Sequence, residues 1–506
     1  MTHPAAPSPQ HSSLLNAQRR SSELHELASG EREVDMLVIG GGVTGAGVAL
    51  DAASRGFSVV LAEAHDLAFG TSRWSSKLVH GGLRYLASGD VAVARESARE
   101  RHLLMTKIAP HLSHALPQLL PHLPGVTPTQ RALTRVGFML GDGLRRWAGT
   151  PSTLLPGPKR VTAAEALRLA PALRQEGLRG GVVSADGQLE DDAKLVTAIA
   201  RTAASYGAHI LTGMSASDAT GAGALLTDQQ SGESFRLRAR SVVNATGVWA
   251  AEIDPDIQLR PSRGTHLVVS AESLGNPSAA LTVPHPGSVS RFVFALPQRL
   301  GRVFIGLTDE DAPGPVPDVP TASETEIDFL LSTVSTVLER PLGRADVLGT
   351  FAGLRPLIST GASESTADIS RRHHVAVSSR GVVNVLGGKL TTYRAMAEDA
   401  VDLACRTAGL SDPGCVTTQI ALVGAPGSSL PPAEERALLA KACTRPEEQI
   451  APGIAVTRAE IAYAVRAEGA LTAADVLDRR TRIGLVAADR EAAFAEASEL
   501  VAESLR

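Results

Sequence analysis

A glycine-rich turn between two apolar runs constrains this chain more than any other feature. Residues 34–63 read VDMLVIGGGVTGAGVALDAASRGFSVVLAE. The run from Val34 to Ile39 enters a turn carrying Gly40, Gly42 and Gly45; an Ala/Gly/Val stretch of helical length follows, and a second run, Ser58 to Ala62, ends in Glu63. The first glycine permits a tight turn. The second lets the backbone approach a pyrophosphate, and the third lets the helix pack closely, with its N-terminus towards the phosphates. Glu63 stands where a carboxylate accepts a hydrogen bond from a ribose hydroxyl. The pattern predicts a strand–turn–helix–strand unit that binds a dinucleotide; alone, it does not separate FAD from NAD.

Composition bounds the remainder. A chain of 506 residues has room for two or three domains. With 43% hydrophobic and 20% charged residues it suits a soluble globular protein, and a net charge of −4 gives no electrostatic case for nucleic acid. Its cations are nearly all arginine. Of six lysines, two, Lys77 and Lys389, fall inside motifs, which suggests a need for a compact point charge. Cys405, Cys415 and Cys443 match no metal or disulfide spacing, so a reduced, cytoplasmic setting and no metal are expected. Residues 1–33 lack the apolar centre of a signal peptide and read as a disordered tail. No run of eighteen apolar residues occurs, so no membrane span is expected, while peripheral contact with the inner face of the cytoplasmic membrane stays open.

Three further stretches carry chemistry. Thr71–Leu86, TSRWSSKLVHGGLRYL, gathers Thr71, Ser72, Ser75, Ser76, Lys77, His80, Gly81, Gly82, Arg84 and Tyr85 just after the ribose-binding acid, where the rest of a cofactor must run. Val382–Arg394, VVNVLGGKLTTYR, brings a strand into Gly387 and Gly388 and then opens a helix, so that a helix N-terminus and Lys389 face something electron-rich. In Gly353-Leu-Arg-Pro356, the proline stiffens a turn and biases Arg355 towards extended backbone, a good fork for a phosphate or carboxylate. His266 lies in the apolar strand Gly264–Ser270, where a packed core histidine is the plainer reading. Short β-rich runs fill 263–310, the pattern of an antiparallel sheet, and 432–506 reads as helices with caps at Thr457 and Thr472.

These pieces in this order resemble the FAD-dependent glycerol-3-phosphate dehydrogenases of aerobic glycerol metabolism, through VIGGGVTGAG, SSKLVHGGLRYL, VNATG, GTHLVV, GLTD, GLRP and GGKLTTYR. The resemblance runs from about residue 34 to the end and implies an α/β fold. A discontinuous Rossmann-like FAD-binding domain (34–109, 175–262 and 345–410) would carry a substrate cap on an antiparallel sheet (110–174 and 263–344), and an all-helical domain (411–506) would close the chain. Gly40, Gly42, Gly45 and Glu63 would hold the ADP half of FAD, with Thr71, Ser72, Ser75, Ser76, Gly82, Gly387 and Gly388 along the rest. Arg84, Tyr85 and Arg371 would bind substrate, and His266, Arg355 and Lys389 would act on it. The implied reaction is oxidation of sn-glycerol 3-phosphate to dihydroxyacetone phosphate, with hydride passing from C2 to flavin N5 and electrons going on to a membrane quinone. The alternative is an oxidase that uses O₂ and makes hydrogen peroxide. A homodimer stays open. Relatives carry a second threonine where this chain has Leu307.

Overall fold

The computed structural model describes residues 8–29, 33–82, 90–124, 128–285, 292–358, 372–428 and 443–506. The fingerprint folds as its pattern demands. Strand Glu33–Ile39 lies parallel to strand Val59–Glu63, and helix Val43–Ser54 joins them. A β-carbon at Gly45 would sit 1.8 Å from the Gly40 carbonyl oxygen, so the helix seats on the turn only because that position is glycine. The sheet grows outward in parallel on both sides: Ser234–Asn244 and then Val383–Leu386 join one edge, and His209–Thr212 joins the other. Its central strands are nearly continuous apolar runs because both faces are covered, one by helices and the other by the antiparallel pair Met214–Thr220 and Gly223–Asp228 with helix Ala17–Ala28. Helices Val43–Ser54, Asp192–Ser205 and Tyr393–Ala408 bury the largest apolar cluster against it.

A second sheet forms the cap. Its order runs Glu310–Asp311, Leu259–Ser270, Arg302–Gly306, Phe292–Gln298, Ala280–Pro284, Ser113–Pro121, Gly181–Leu189, Leu78–Val79. One face packs on helix Glu324–Ser335, and the other looks towards the cofactor domain. Two expected boundaries shift. Gly181–Leu189 and Val347–Ile358, both assigned to the cofactor domain, belong to the cap sheet, because their ladder bonds run to Ser113–Pro121 and to Leu259–Ser270. The GLRP segment is therefore strand and not turn: Pro356 opposes Pro261 near the strand end.

The tail is corrected more sharply. Helix Ala17–Ala28, capped by Asn16, lies along the edge strand His209–Thr212. Glu23 accepts from the Ile210 amide, and the Arg20 guanidinium donates to the Thr212 carbonyl and pairs with Asp228. A polar-looking segment is thus ordered because it satisfies an exposed sheet edge. The C-terminal domain is helical around its own core, with capping boxes at Thr457 and Thr472, and adds one short hairpin, Gln449–Ala451 with Ile454–Thr457. It is fastened by arginines. Arg479 and Arg480 both reach Asp66, three residues beyond the fingerprint acid, at 2.5 and 2.8 Å. Arg482 donates to the Arg73 carbonyl at 2.6 Å, and Arg302 of the cap donates to the Arg482 carbonyl at 2.8 Å.

Candidate active site

One cavity of about 1270 Å³ runs from the fingerprint to the inner face of the cap sheet. Its first half is made by the glycine turn and the strand ends. The Gly41 amide donates to Glu63 Oε2 at 2.6 Å and the His65 amide to Oε1 at 2.9 Å, so the carboxylate is held at the end of its strand. Burial pushes the Glu63 carboxyl up to about 7, against those two amides. Ionised oxygens so placed want further donors, and ribose hydroxyls supply them. Ser72 Oγ accepts from the Val43 amide at the helix N-terminus. A β-carbon at Gly42 would meet only that hydroxyl, at 3.1 Å, leaving a backbone face open to the cavity. Gly387 and Gly388, both with positive φ, close the far wall.

The loop after Glu63 divides its labour. Thr71 Oγ1 donates to the Leu354 carbonyl (2.7 Å), tying loop to cap. Ser75 binds Asp192 through its amide and hydroxyl, and Lys77 Nζ, fully buried, pairs with the same carboxylate at 2.7 Å. Burial draws Lys77 down to about 8. Ser76 Oγ meets His266 Nε2 at 2.8 Å. Gly82 lines the cavity. His80 and Arg101 pair with Asp186, whose carboxyl burial would raise but Arg101 and His80 hold at about 2.

The second half carries the ionic groups. His266 is buried and stacked on Phe351, with ring centroids 4.6 Å apart. Its close fit depends on Gly306 on the neighbouring strand, where a β-carbon would lie 2.2 Å from the ring. Burial, then the charges of Lys77 and Arg355, draw the imidazole down to about 3, so it is neutral at physiological pH. Among the described residues His266 Nδ1 has no partner. Arg355 lies on the strand beside it, held by Asp309 and Ser262 at 3.2 Å each. Lys389 Nζ donates to Ser97 Oγ at 2.8 Å, and both cations line the cavity. His266, Arg355 and Lys389 thus converge from three distant stretches. Arg84, Tyr85 and Arg371 lie outside the described residues. Arg372 pairs with Asp90 at 2.8 Å. Sequence reasoning missed the acids that place these groups: Asp192 under Lys77, Asp309 behind Arg355 and Asp186 beside His80. Asp186 and Asp192 gave no signal beyond an Asp in an otherwise ordinary strand or helix start, whereas Asp309 closes the GLTD motif.

The comparisons with known proteins settle the family. Residues 35–394 match the family model of FAD-dependent oxidoreductases, and residues 433–506 match that of the C-terminal domain of alpha-glycerophosphate oxidase. The chain is 56% identical to glycerol-3-phosphate dehydrogenase 1 of Mycobacterium tuberculosis over 97% of its own length and 99% of the relative's. The chain belongs to the FAD-dependent glycerol-3-phosphate dehydrogenase family. Glycerol-3-phosphate dehydrogenase of Mycobacterium leprae is 38% identical, over 97% of this chain and 88% of that one. Among solved structures, glycerol-3-phosphate dehydrogenase of Bacillus halodurans complexed with FAD superposes with a TM-score of 0.70 at 26% identity, covering 96% of this chain and 94% of that one. L-alpha-glycerophosphate oxidase of Mycoplasma pneumoniae, with FAD bound, shares the fold (TM-score 0.57, 18% identity, 77% and 99% coverage). FAD is therefore the cofactor. The fit is physical too: Glu63, the open Gly42 face and the Gly387–Gly388 wall lie along one cavity larger than a typical small-molecule pocket.

Proposed function

We propose that this dehydrogenase oxidises sn-glycerol 3-phosphate to dihydroxyacetone phosphate and delivers the electrons to a membrane quinone. The observation that carries the reading is the convergence of Arg355, Lys389 and neutral His266 on the FAD cavity. A phosphate ester brings nearly two negative charges, and a guanidinium with an ammonium is the matching grip. Holding that remote phosphate spends binding energy on placing C2. FAD, when bound, supplies the hydride acceptor at N5. His266 is the base for the C2 hydroxyl: its neutral imidazole lines the cavity, and a phosphate dianion entering the cavity raises its affinity for a proton. Lys389 stabilises the developing alkoxide. Arg84, Tyr85 and Arg371 complete the substrate grip.

Helix Pro128–Trp147 supports the quinone part. Phe138 turns into the cavity, while Met139 and Trp147 are more than half exposed, with Val136 and Leu140 at the cavity rim. Arg135 and Arg146 flank this apolar face, the composition that rests on an anionic bilayer surface. No described helix is long and apolar enough to cross a membrane. The test is spectral. Under anaerobic conditions, glycerol 3-phosphate should bleach the yellow enzyme, and a quinone analogue should restore the colour faster than O₂ does. Absence of bleaching refutes the substrate; faster recovery with O₂ makes the enzyme an oxidase.

A further inference from the structure

Two buried polar side chains on the inner wall of the cap have no partner among the described residues: Gln118 Nε2 and Thr282 Oγ1. Both line the cavity, and they are 8% and 3% exposed. A buried amide or hydroxyl left unpaired is destabilising, so a site keeps such groups where a ligand satisfies them. Their position says which ligand atom that is. In cross-strand register, Thr282 opposes Phe294, Phe294 opposes Gly306, and Gly306 opposes His266. Gln118 is on the next strand, opposite Ala280. The Arg355 strand adds to the other side of the His266 strand. Along the wall the order is therefore cation, imidazole, then neutral hydrogen-bonding groups.

Three strand spacings make about 14 Å of arc between Thr282 and His266, but the sheet curls back on itself. Ser76, leading into the strand at the far end of the order, hydrogen-bonds His266 near the beginning. Leu78 and Leu116 of that far end pack with Val268 and Phe351 of the near end. Inward side chains from both ends thus share one space, and the chord is shorter than the arc.

We infer that Gln118 and Thr282 bind the C1 hydroxyl of the substrate and set its specificity for a glycerol, as opposed to a deoxy, phosphate; this rests on the substrate reading above. The cations take the C3 phosphate, His266 faces C2, and C1 falls to the neutral end. The amide donates to the C1 oxygen, and the threonine hydroxyl completes the pair.

The test compares glycerol 3-phosphate with propane-1,2-diol 1-phosphate, which lacks only that hydroxyl. A site built to hydrogen-bond a hydroxyl should reject the deoxy compound by about 10²-fold or more in kcat/KM. Gln118→Leu and Thr282→Val, singly and together, should cut that ratio at least tenfold, mainly by losing rate on glycerol 3-phosphate. A direct-binding arm needs no turnover: in competition measurements, dihydroxyacetone phosphate should outcompete hydroxyacetone phosphate on the wild type and lose that advantage in the variants. An unchanged ratio in folded, yellow variants overturns the assignment alone, for instance because both side chains hold the phosphate. A wild-type enzyme that glycerol 3-phosphate does not reduce overturns the substrate reading first, and this assignment with it.

Discussion

Two sets of cations in this molecule are spent differently. Arg479, Arg480 and Arg482, at the seam between the C-terminal and cofactor domains, are buried. Arg479 and Arg480 share the Asp66 carboxylate, which burial would raise but their two charges hold below the ordinary range. Arg355 and Lys389 instead line an open cavity, each anchored by a short contact that fixes its direction: Asp309 and Ser262 for one, Ser97 for the other. The seam is electrostatically closed, and its arginines are structural. The cavity wall is set to receive an anion. The lesson is that a cation's role follows from the space it faces: Arg355 also pairs with a carboxylate, Asp309, yet it lines the cavity, while the seam arginines do not.

Removing one member of each set should break this contrast in opposite observables. The largest effect should follow Asp66→Ala, which leaves Arg480 buried without its acid and Arg479 with Asp475 alone. About 3–5 kcal/mol of stability should be lost, read as a lower thermal midpoint, with little change in KM for the enzyme that stays folded. A large rise in KM with an unchanged midpoint would show that the seam serves the substrate instead. Next comes Arg355→Ala. Loss of a charge-assisted contact to phosphate should raise KM by about 10²-fold while the thermal midpoint stays close to wild type. A normal KM would remove Arg355 from the phosphate grip.

His266 sharpens the cavity side. Its folded-state value near 3 lies below the ordinary 6.5, so between those limits the unfolded chain binds a proton that the folded one does not. The sign is that this stability is present above pH 6.5 and is lost as pH falls towards 3. His266→Gln should flatten that acid slope in urea titrations at several pH values, and should cut turnover by about 10²-fold if the imidazole is the base. The smallest effect concerns Glu63. Its value near 7 means that the folded chain holds a proton which the unfolded one releases above about 4.5, so this group costs stability as pH rises from 4.5 towards 7. If, as proposed, FAD donates hydrogen bonds to the ionised form, flavin affinity of the apoprotein should rise severalfold from pH 6 to 8. Glu63→Gln should abolish that rise.

Parts of the site could be read early. The glycine turn and Glu63 interact within thirty residues, and local sequence spacing carries that geometry. The scarcity of lysine pointed to Lys389 correctly as a cavity residue and to Lys77 for a different reason, since Lys77 is buried under Asp192 and not exposed to a ligand. Ser75, assigned to the cofactor, lines the cavity and also binds Asp192 at the start of helix Asp192–Ser205. The N-terminal segment looked disordered because nothing in its own composition reveals the open strand edge it covers.

By itself the chain determined what depends on neighbours in sequence: the dinucleotide fold, the capped helices at Thr457 and Thr472, and the FAD-enzyme resemblance. Only the tertiary structure decided which arginines are spent on carboxylates, that the GLRP segment is a strand of the cap, and that Gln118 and Thr282 line the same cavity as His266. The reason is that strand order and curl bring together residues from separate stretches of the chain, as distant as Gln118 and Ala280, and no local pattern of hydrophobicity or propensity encodes that meeting.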